Sequence, residues 1–410
     1  MTSARQRPVR VGVFGLLGSG NLGNDGSLEA VLGHLRADHP DAVVDALCGG
    51  PEAVTARFGI PATRMHWNRA EYRTASRLGS IASKGLGKFV DIFRTAAWVR
   101  RHDVVIVPGM GVLEATLPLR PWGFPYSLFL LCASGRLTRT RVALVCVGAA
   151  EIRNRPTRAL VRWSGRLAAY RSYRDDRSRD AMRAMGVDTA RDEVYPDLAF
   201  SLPSPPANAP SDVPGTVCVG VMDFHGGNDD RARADEIHAR YLDGTIRFVR
   251  TLVEEGRPVR LLTGDRCDDT VVAAILEAVD SPLVTAAEPT SLDDLMHEMV
   301  TADTVVAVRY HNLICALKTG TPALALSYAA KSDALMDRMG LGAFCHPARE
   351  VDADRLLEQF RALEKQAPEL RATLVERNQA AARQLDDQFA SLTAAVFPAT
   401  HHTHARQESP

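Results

Sequence analysis

The sequence lacks any long hydrophobic run. Its longest apolar stretch, residues 127–133 after the Pro-Trp-Gly-Phe-Pro turn, falls far short of the roughly 18–20 residues a bilayer-spanning helix needs. No segment is expected to cross a membrane. The first residues, Met1 to Val9, are polar and basic and run into a strand, so no signal peptide is expected. Net charge is lacking too: 49 Lys and Arg balance 49 Asp and Glu. With no global positive field, nucleic acid is not an expected partner, and any anion site must be local. The seven cysteines, at 48, 132, 146, 218, 267, 315 and 345, are odd in number and form no CxxC or zinc-like spacing. That pattern excludes a disulfide framework and fits a reducing cytoplasm.

What is present is length and apolar content. At 410 residues, 46% of them hydrophobic, the chain exceeds the size at which one core stops growing, so two domains are expected. Short β-branched runs at Val9–Leu17, Ala42–Leu47, Val104–Val107, Val142–Val147 and Tyr170–Arg174 alternate with helical patterns. This is βαβ winding around a parallel sheet. Residues 203–214, rich in Pro, Ser and Ala, read as a linker. A second set of strands follows at Val217–Met222, Val259–Thr263, Thr304–Val308 and Ala323–Tyr328, with a long charged helix over Ala353–Ala394. The expected units are 1–202, 215–397 and a tail over 398–410, whose His401, His402 and His404 are read as chain end and not as a metal site.

Three segments carry candidate chemistry. The first is Gly18-Ser-Gly-Asn-Leu-Gly-Asn-Asp-Gly26, between the first strand and a helix expected over Leu28–Arg36, with Asp25 or Ser27 as cap. Small residues admit a ligand close to the backbone, and a helix N-terminus offers N–H groups to an anion, which makes Gly20, Asn21, Gly23, Asn24 and Asp25 a candidate phosphate or acceptor loop. It lacks the Lys and Ser/Thr of a P-loop. The second is Val305 to Asn312, a strand ending in Arg309, Tyr310 and His311. Open α/β sheets bind ligands at that carboxyl edge, and Lys331, just after the next strand, is expected to join Arg309 and His311 there. Such a set supplies a planar fork, a point charge and a proton donor. The third is Tyr170 to Ser178, where Arg174 stands at a strand end and pairing with the adjacent aspartates is an equally good reading.

These segments, in this order, resemble the polysaccharide pyruvyl transferase family: Gly20-Asn-Leu-Gly-Asn-Asp25, Tyr173-Arg-Asp-Asp-Arg-Ser178, Pro196-Asp-Leu-Ala-Phe200, and Arg309-Tyr-His311 through Lys331 to Gly340. The resemblance implies a GT-B-like pair of Rossmann-like domains facing across a cleft, phosphoenolpyruvate as donor, and a sugar of a glycan or glycolipid precursor as acceptor. It also implies His311 as general acid and Arg174, Arg309 and Lys331 as holders of the donor's carboxylate and phosphate. Protonating the enol ether lets one hydroxyl add and a second displace phosphate. Cations suffice to hold the donor and the departing phosphate, so neither metal nor other cofactor is expected. A base is also needed, and Asp265, Asp268 and Asp269 are candidates, Asp265 foremost. The chain departs from the family pattern at Pro108-Gly-Met-Gly111 and Gly148-Ala-Ala-Glu-Ile152, which leaves the acceptor open. A nucleotide-sugar GT-B glycosyltransferase and a non-catalytic glycan-binding member of the fold stay open as alternatives. Residues 77–101 mix apolar residues at helical spacing with Lys84, Lys88 and Arg94. That segment is expected to be a helix packed on the sheet, with peripheral contact to the inner face of a membrane as the other reading.

Overall fold

The computed structural model describes residues 7–67, 77–114, 121–206 and 213–397. Its strands fall in chain order as β1 (Arg10–Gly15), β2 (Val43–Cys48), β3 (Ala62–Arg64), β4 (Val104–Pro108), β5 (Arg141–Val147), β6 (Tyr170–Tyr173) and β7 (Glu193–Val194), then β8 (Val217–Gly220), β9 (Val259–Leu262), β10 (Val284–Ala286), β11 (Thr304–Ala307), β12 (Ala323–Ser327) and β13 (Cys345–Pro347). The first seven form one sheet in the order β3-β2-β1-β4-β5-β6-β7, and the other six a second in the order β10-β9-β8-β11-β12-β13. All recorded pairings between these strands are parallel. Both orders reverse direction beside their first strand, which makes each sheet a doubly wound, Rossmann-like layer with its crevice at the strands' carboxyl ends. The central strands β4, β5 and β11 are almost wholly apolar and, apart from Arg141 at the start of β5, buried, as helices on either side of a parallel sheet require.

Packing is tight enough to dictate residue size. A Cβ on Gly12 of β1 would lie 2.5 Å from the Trp98 ring, which seats the helix Arg77–Val99 against the sheet. That helix forms despite its three glycines, because tertiary packing outweighs propensity. Its outer face leaves Leu86, Phe89 and Phe93 exposed, with Trp67 and Trp122 also exposed elsewhere on the first unit. Lys88 and Arg94 are not simply solvated: both approach the buried Asp91, at 3.9 and 3.7 Å. None of the described helices is long and apolar enough to cross a membrane.

The terminal helix, Ala353–Val396, joins the two units. Phe360 meets Phe248 over the second sheet. Further along, Gln388 donates to the Tyr170 hydroxyl at 3.0 Å and Phe389 stacks on His34, both over the first sheet. Residues 207–212 of the expected linker and the whole tail from 398 lie outside the described residues.

Candidate functional site

The glycine-rich segment is only half loop. Its helix starts at Leu22, six residues before the expected start, because Asn21 is the cap and accepts the Asn24 N–H at 3.2 Å. Asp25, an expected cap, lies inside the helix and instead accepts the Gly18 N–H at 2.7 Å. Burial pushes its carboxyl upward against that bond. Gly18 and Gly20 take φ of +67° and +95°, backbone that a side chain would strain. Gly23 is glycine for another reason: a Cβ there would lie 1.9 Å from His311 Nδ1. The same helix start meets the second sheet through the Leu22 N–H, which donates to Gly264 O at 3.3 Å, and the Asn21 amide, which donates to Asp265 at 3.2 Å.

Arg174, at the carboxyl end of β6, does not use the neighbouring aspartates. Asp175 caps the next helix by accepting the Ser178 N–H. Arg174 itself is buried, paired closely with Glu114 and lying 3.4 Å from Asp197, with its guanidinium 4.5 Å from the Tyr310 ring centre. Local capping therefore does not account for it. Lys331, in the first turn of the helix Ala330–Arg338, donates to the other Glu114 oxygen at 3.0 Å. Burial alone would keep the Glu114 carboxyl protonated, but Arg174 and Lys331 hold it down to about 2.

His311 stands between these groups and Gly23. Its Nε2 is buried, lies 4.0 Å from Asp197, and has no hydrogen-bond partner among the described residues. Burial, reinforced by Arg174 and Lys331 and opposed by Asp197, lowers its pKa to about 4. The imidazole is thus neutral at pH 7.

The expected convergence of Arg309, His311 and Lys331 is partial. Arg309, cap of the helix Tyr310–Lys318, turns toward β9 and donates twice to Asp268, at 2.8 and 2.5 Å, and once to Cys267 Sγ at 3.2 Å. Lys331 turns toward Glu114. Arg174, Arg309, His311 and Lys331 nevertheless line one cavity of about 840 Å³, with Asn21, Asn24 and Glu114. Of the carboxylates expected as bases, Asp268 is occupied by Arg309, and Asp265 and Asp269 are not among the lining residues. Asp265 ties the two units together through Asn21.

Known proteins similar to this chain supply a family and a fold. The family model for polysaccharide pyruvyl transferase matches residues 21–329. The chain belongs to the polysaccharide pyruvyl transferase family. No curated protein matches it. Among solved structures, the UDP-GlcNAc 2-epimerase from Neisseria meningitidis bound to UDP-GlcNAc has a TM-score of 0.58 at 12% identity, covering 93% of this chain and 99% of that one. The S. aureus MnaA–UDP complex has a TM-score of 0.60 at 10% identity, covering 96% and 99%. The lipopolysaccharide outer core galactosyltransferase WaaB has a TM-score of 0.53 at 11% identity, covering 94% and 100%. At such identities these relatives carry the GT-B fold alone.

For this pyruvyl transferase family member, four site groups went unassigned in the sequence. Glu114 follows the atypical Pro108-Gly-Met-Gly111 turn, in which Gly109 and Met110 have positive φ. Asp197 lies within the Pro196–Phe200 block and caps a short 3₁₀ turn. Tyr310 supplies the aromatic face over both Arg174 and Lys331. Asn312 is fully buried, and both polar atoms of its amide lack a partner among the described residues. The strand-end acids could have been flagged by their position alone; the pairing could not.

Proposed function

We propose that this transferase moves the enolpyruvyl group of phosphoenolpyruvate onto two hydroxyls of a sugar in a glycan or glycolipid precursor, forming a pyruvate ketal and releasing phosphate. The observation that carries the reading is the juxtaposition of two cations, the buried Arg174 and the partly buried Lys331, with a partly buried imidazole whose inaccessible Nε2 has no partner among the described residues. In the proposed reaction Arg174, Lys331 and Arg309 take the donor's carboxylate and phosphate oxygens, displacing Glu114 from the donors it now holds. His311 gives a proton to the donor methylene, which becomes the ketal methyl group. The electron-poor C2 is attacked by one sugar hydroxyl; a second hydroxyl then displaces phosphate with its bridging oxygen, and the two hydroxyl protons leave to base and phosphate.

The test is to incubate the protein with phosphoenolpyruvate and a panel of nucleotide-linked and lipid-linked sugars, following phosphate release and acceptor mass. An acceptor gaining the mass of a ketal with one phosphate released is the expected result. Hydrolysis of a nucleotide sugar without pyruvate gain would transfer the protein to the glycosyltransferase reading, and absence of donor binding to the non-catalytic one.

Gly23→Ala offers a second check. Within a helix the change favours folding by about 0.5–1 kcal/mol, yet the added methyl occupies the His311 ring position. The expected result is at least a ~10-fold fall in turnover, with a melting temperature no higher than the native chain's because the displaced His311 ring offsets the helix gain. Full turnover would separate His311 from the chemistry.

The reading extends to where the acceptor comes from. Leu86, Phe89 and Phe93 on the helix Arg77–Val99 form an exposed apolar face suited to the surface of a membrane carrying a lipid-linked acceptor. Cosedimentation with anionic lipid vesicles is expected for the native chain and reduced for Phe89→Ser/Phe93→Ser. Equal pelleting of both would remove the membrane from the proposal.

A further inference from the structure

We propose that Asp223, His225 and His238 form a divalent-metal site on the wall of the same cleft. They come from two elements: Asp223 and His225 from the loop after β8, and His238 from the first turns of the helix Ala234–Glu254. One ligand atom from each lies within 4.8 Å of the other two. His225 Nε2 is 3.0 Å and His238 Nδ1 3.6 Å from the same carboxylate oxygen, Asp223 Oδ1; His238 Nδ1 also lies 3.3 Å from Phe224 O, a contact that ligation would give up. In a tetrahedral site with ligands at about 2.0–2.1 Å, ligand atoms sit about 3.3 Å apart, and the two observed separations bracket that value.

The donor set is two imidazoles and one carboxylate, which suits zinc and the neighbouring first-row ions and not magnesium or calcium. The scaffold beneath it is fixed. The Asp223 N–H donates to Asp268 at 2.9 Å, and the Met222 N–H to the Tyr241 hydroxyl at 3.1 Å. Asp268 is the same carboxylate that anchors Arg309, so the metal loop and the proposed donor cation share a support. The imidazole rings lie parallel with centres 4.3 Å apart, so coordination requires a modest turn of the half-exposed His225. Asp223 and His225 line the cavity. Three protein ligands then leave a fourth position facing the cleft, the arrangement of a ligand-binding metal and not of a closed structural one.

The test uses the full chain with His401, His402 and His404 changed to Ala, so that the tail cannot answer for the site. Calorimetric titration with zinc chloride is expected to give one equivalent bound. Asp223→Asn and His238→Ala are expected to weaken it by at least ~10-fold, with circular dichroism unchanged. Cobalt(II) is expected to give tetrahedral visible bands without a thiolate charge-transfer band, since Cys267 is not a ligand, and azide is expected to shift those bands through the open position. No zinc binding, undiminished binding in both variants, a thiolate band, or indifference to azide would each overturn the site as proposed. None of these readouts depends on pyruvyl transfer, so the site stands or falls apart from the reaction.

Discussion

Replacing Arg174 by Met is expected to destabilise the protein by about 3–5 kcal/mol, because it leaves Glu114 and Asp197 as buried charges without their shared partner. Both carboxylates are nearly inaccessible, with side chains 7% and 1% exposed. In the native protein Glu114 titrates near 2, below its ordinary 4.5. Its depressed pKa contributes stability that is present above pH 4.5 and fades as the pH falls toward 2. Without Arg174 only Lys331 opposes the burial and the carboxyl moves upward, so the variant should lose less stability on acidification than the native chain. Thermal melts between pH 3 and 7 measure both effects. The second expectation is loss of phosphoenolpyruvate binding by roughly 100-fold or more, the cost of removing a buried charge-assisted fork. The double variant Glu114→Gln/Arg174→Met separates the two effects. It should recover much of the stability, since a pair replaced on both sides leaves less buried charge uncompensated, but none of the donor affinity. Recovery of both would mean that Arg174 is structural only.

The extent of foresight in the sequence follows physical lines. Alternating apolar runs and helical patterns announced two parallel sheets, because period and length are local properties; Thr304–Ala307 and Ala323–Ser327 fall inside the expected strands. The strand-end rule likewise placed Arg174, Arg309, His311 and Lys331 beside the cleft. Pairing was not local and so was not legible. Nothing near Arg174 in the sequence points to Glu114, 60 positions away, and the adjacent Asp175 was the easier partner to imagine. The glycine segment reads as a loop because small residues after a strand admit a ligand to the backbone, whereas Gly23 and Gly26 sit in the first turns of the helix, where His311 and Leu292 occupy the space their side chains would need. The terminal helix shows the same limit: its charge and length mark a helix, but not that its last turns cross to Tyr170 on the first sheet and to His34 on the helix that begins at Leu22.

Substituting His311 by Asn is expected to lower kcat for ketal formation by about 10²–10⁴-fold, the usual worth of a positioned proton donor, with little change in donor affinity at pH 8. The pH dependence makes the assignment stricter. In the free protein the imidazole is neutral at pH 7, pushed down to about 4 by burial and, after it, by Arg174 and Lys331. A donor bearing a carboxylate and a phosphate would neutralise those two cations and set negative charge near Nε2, so the pKa must rise in the complex. A group whose pKa rises on binding takes up a proton. Donor affinity should therefore strengthen as pH falls through the raised value and level off only near 4. Calorimetric binding heats measured in buffers of different ionisation enthalpy should give proton uptake for the native chain and less for His311→Asn by the share that His311 carries. If uptake is the same in both, the proton comes from the phosphate or from another group, and His311 is a packing residue over Gly23. If uptake is lost and turnover falls while donor affinity persists, the neutral histidine of the free protein is the acid of the loaded one, armed by the charge of the substrate it protonates.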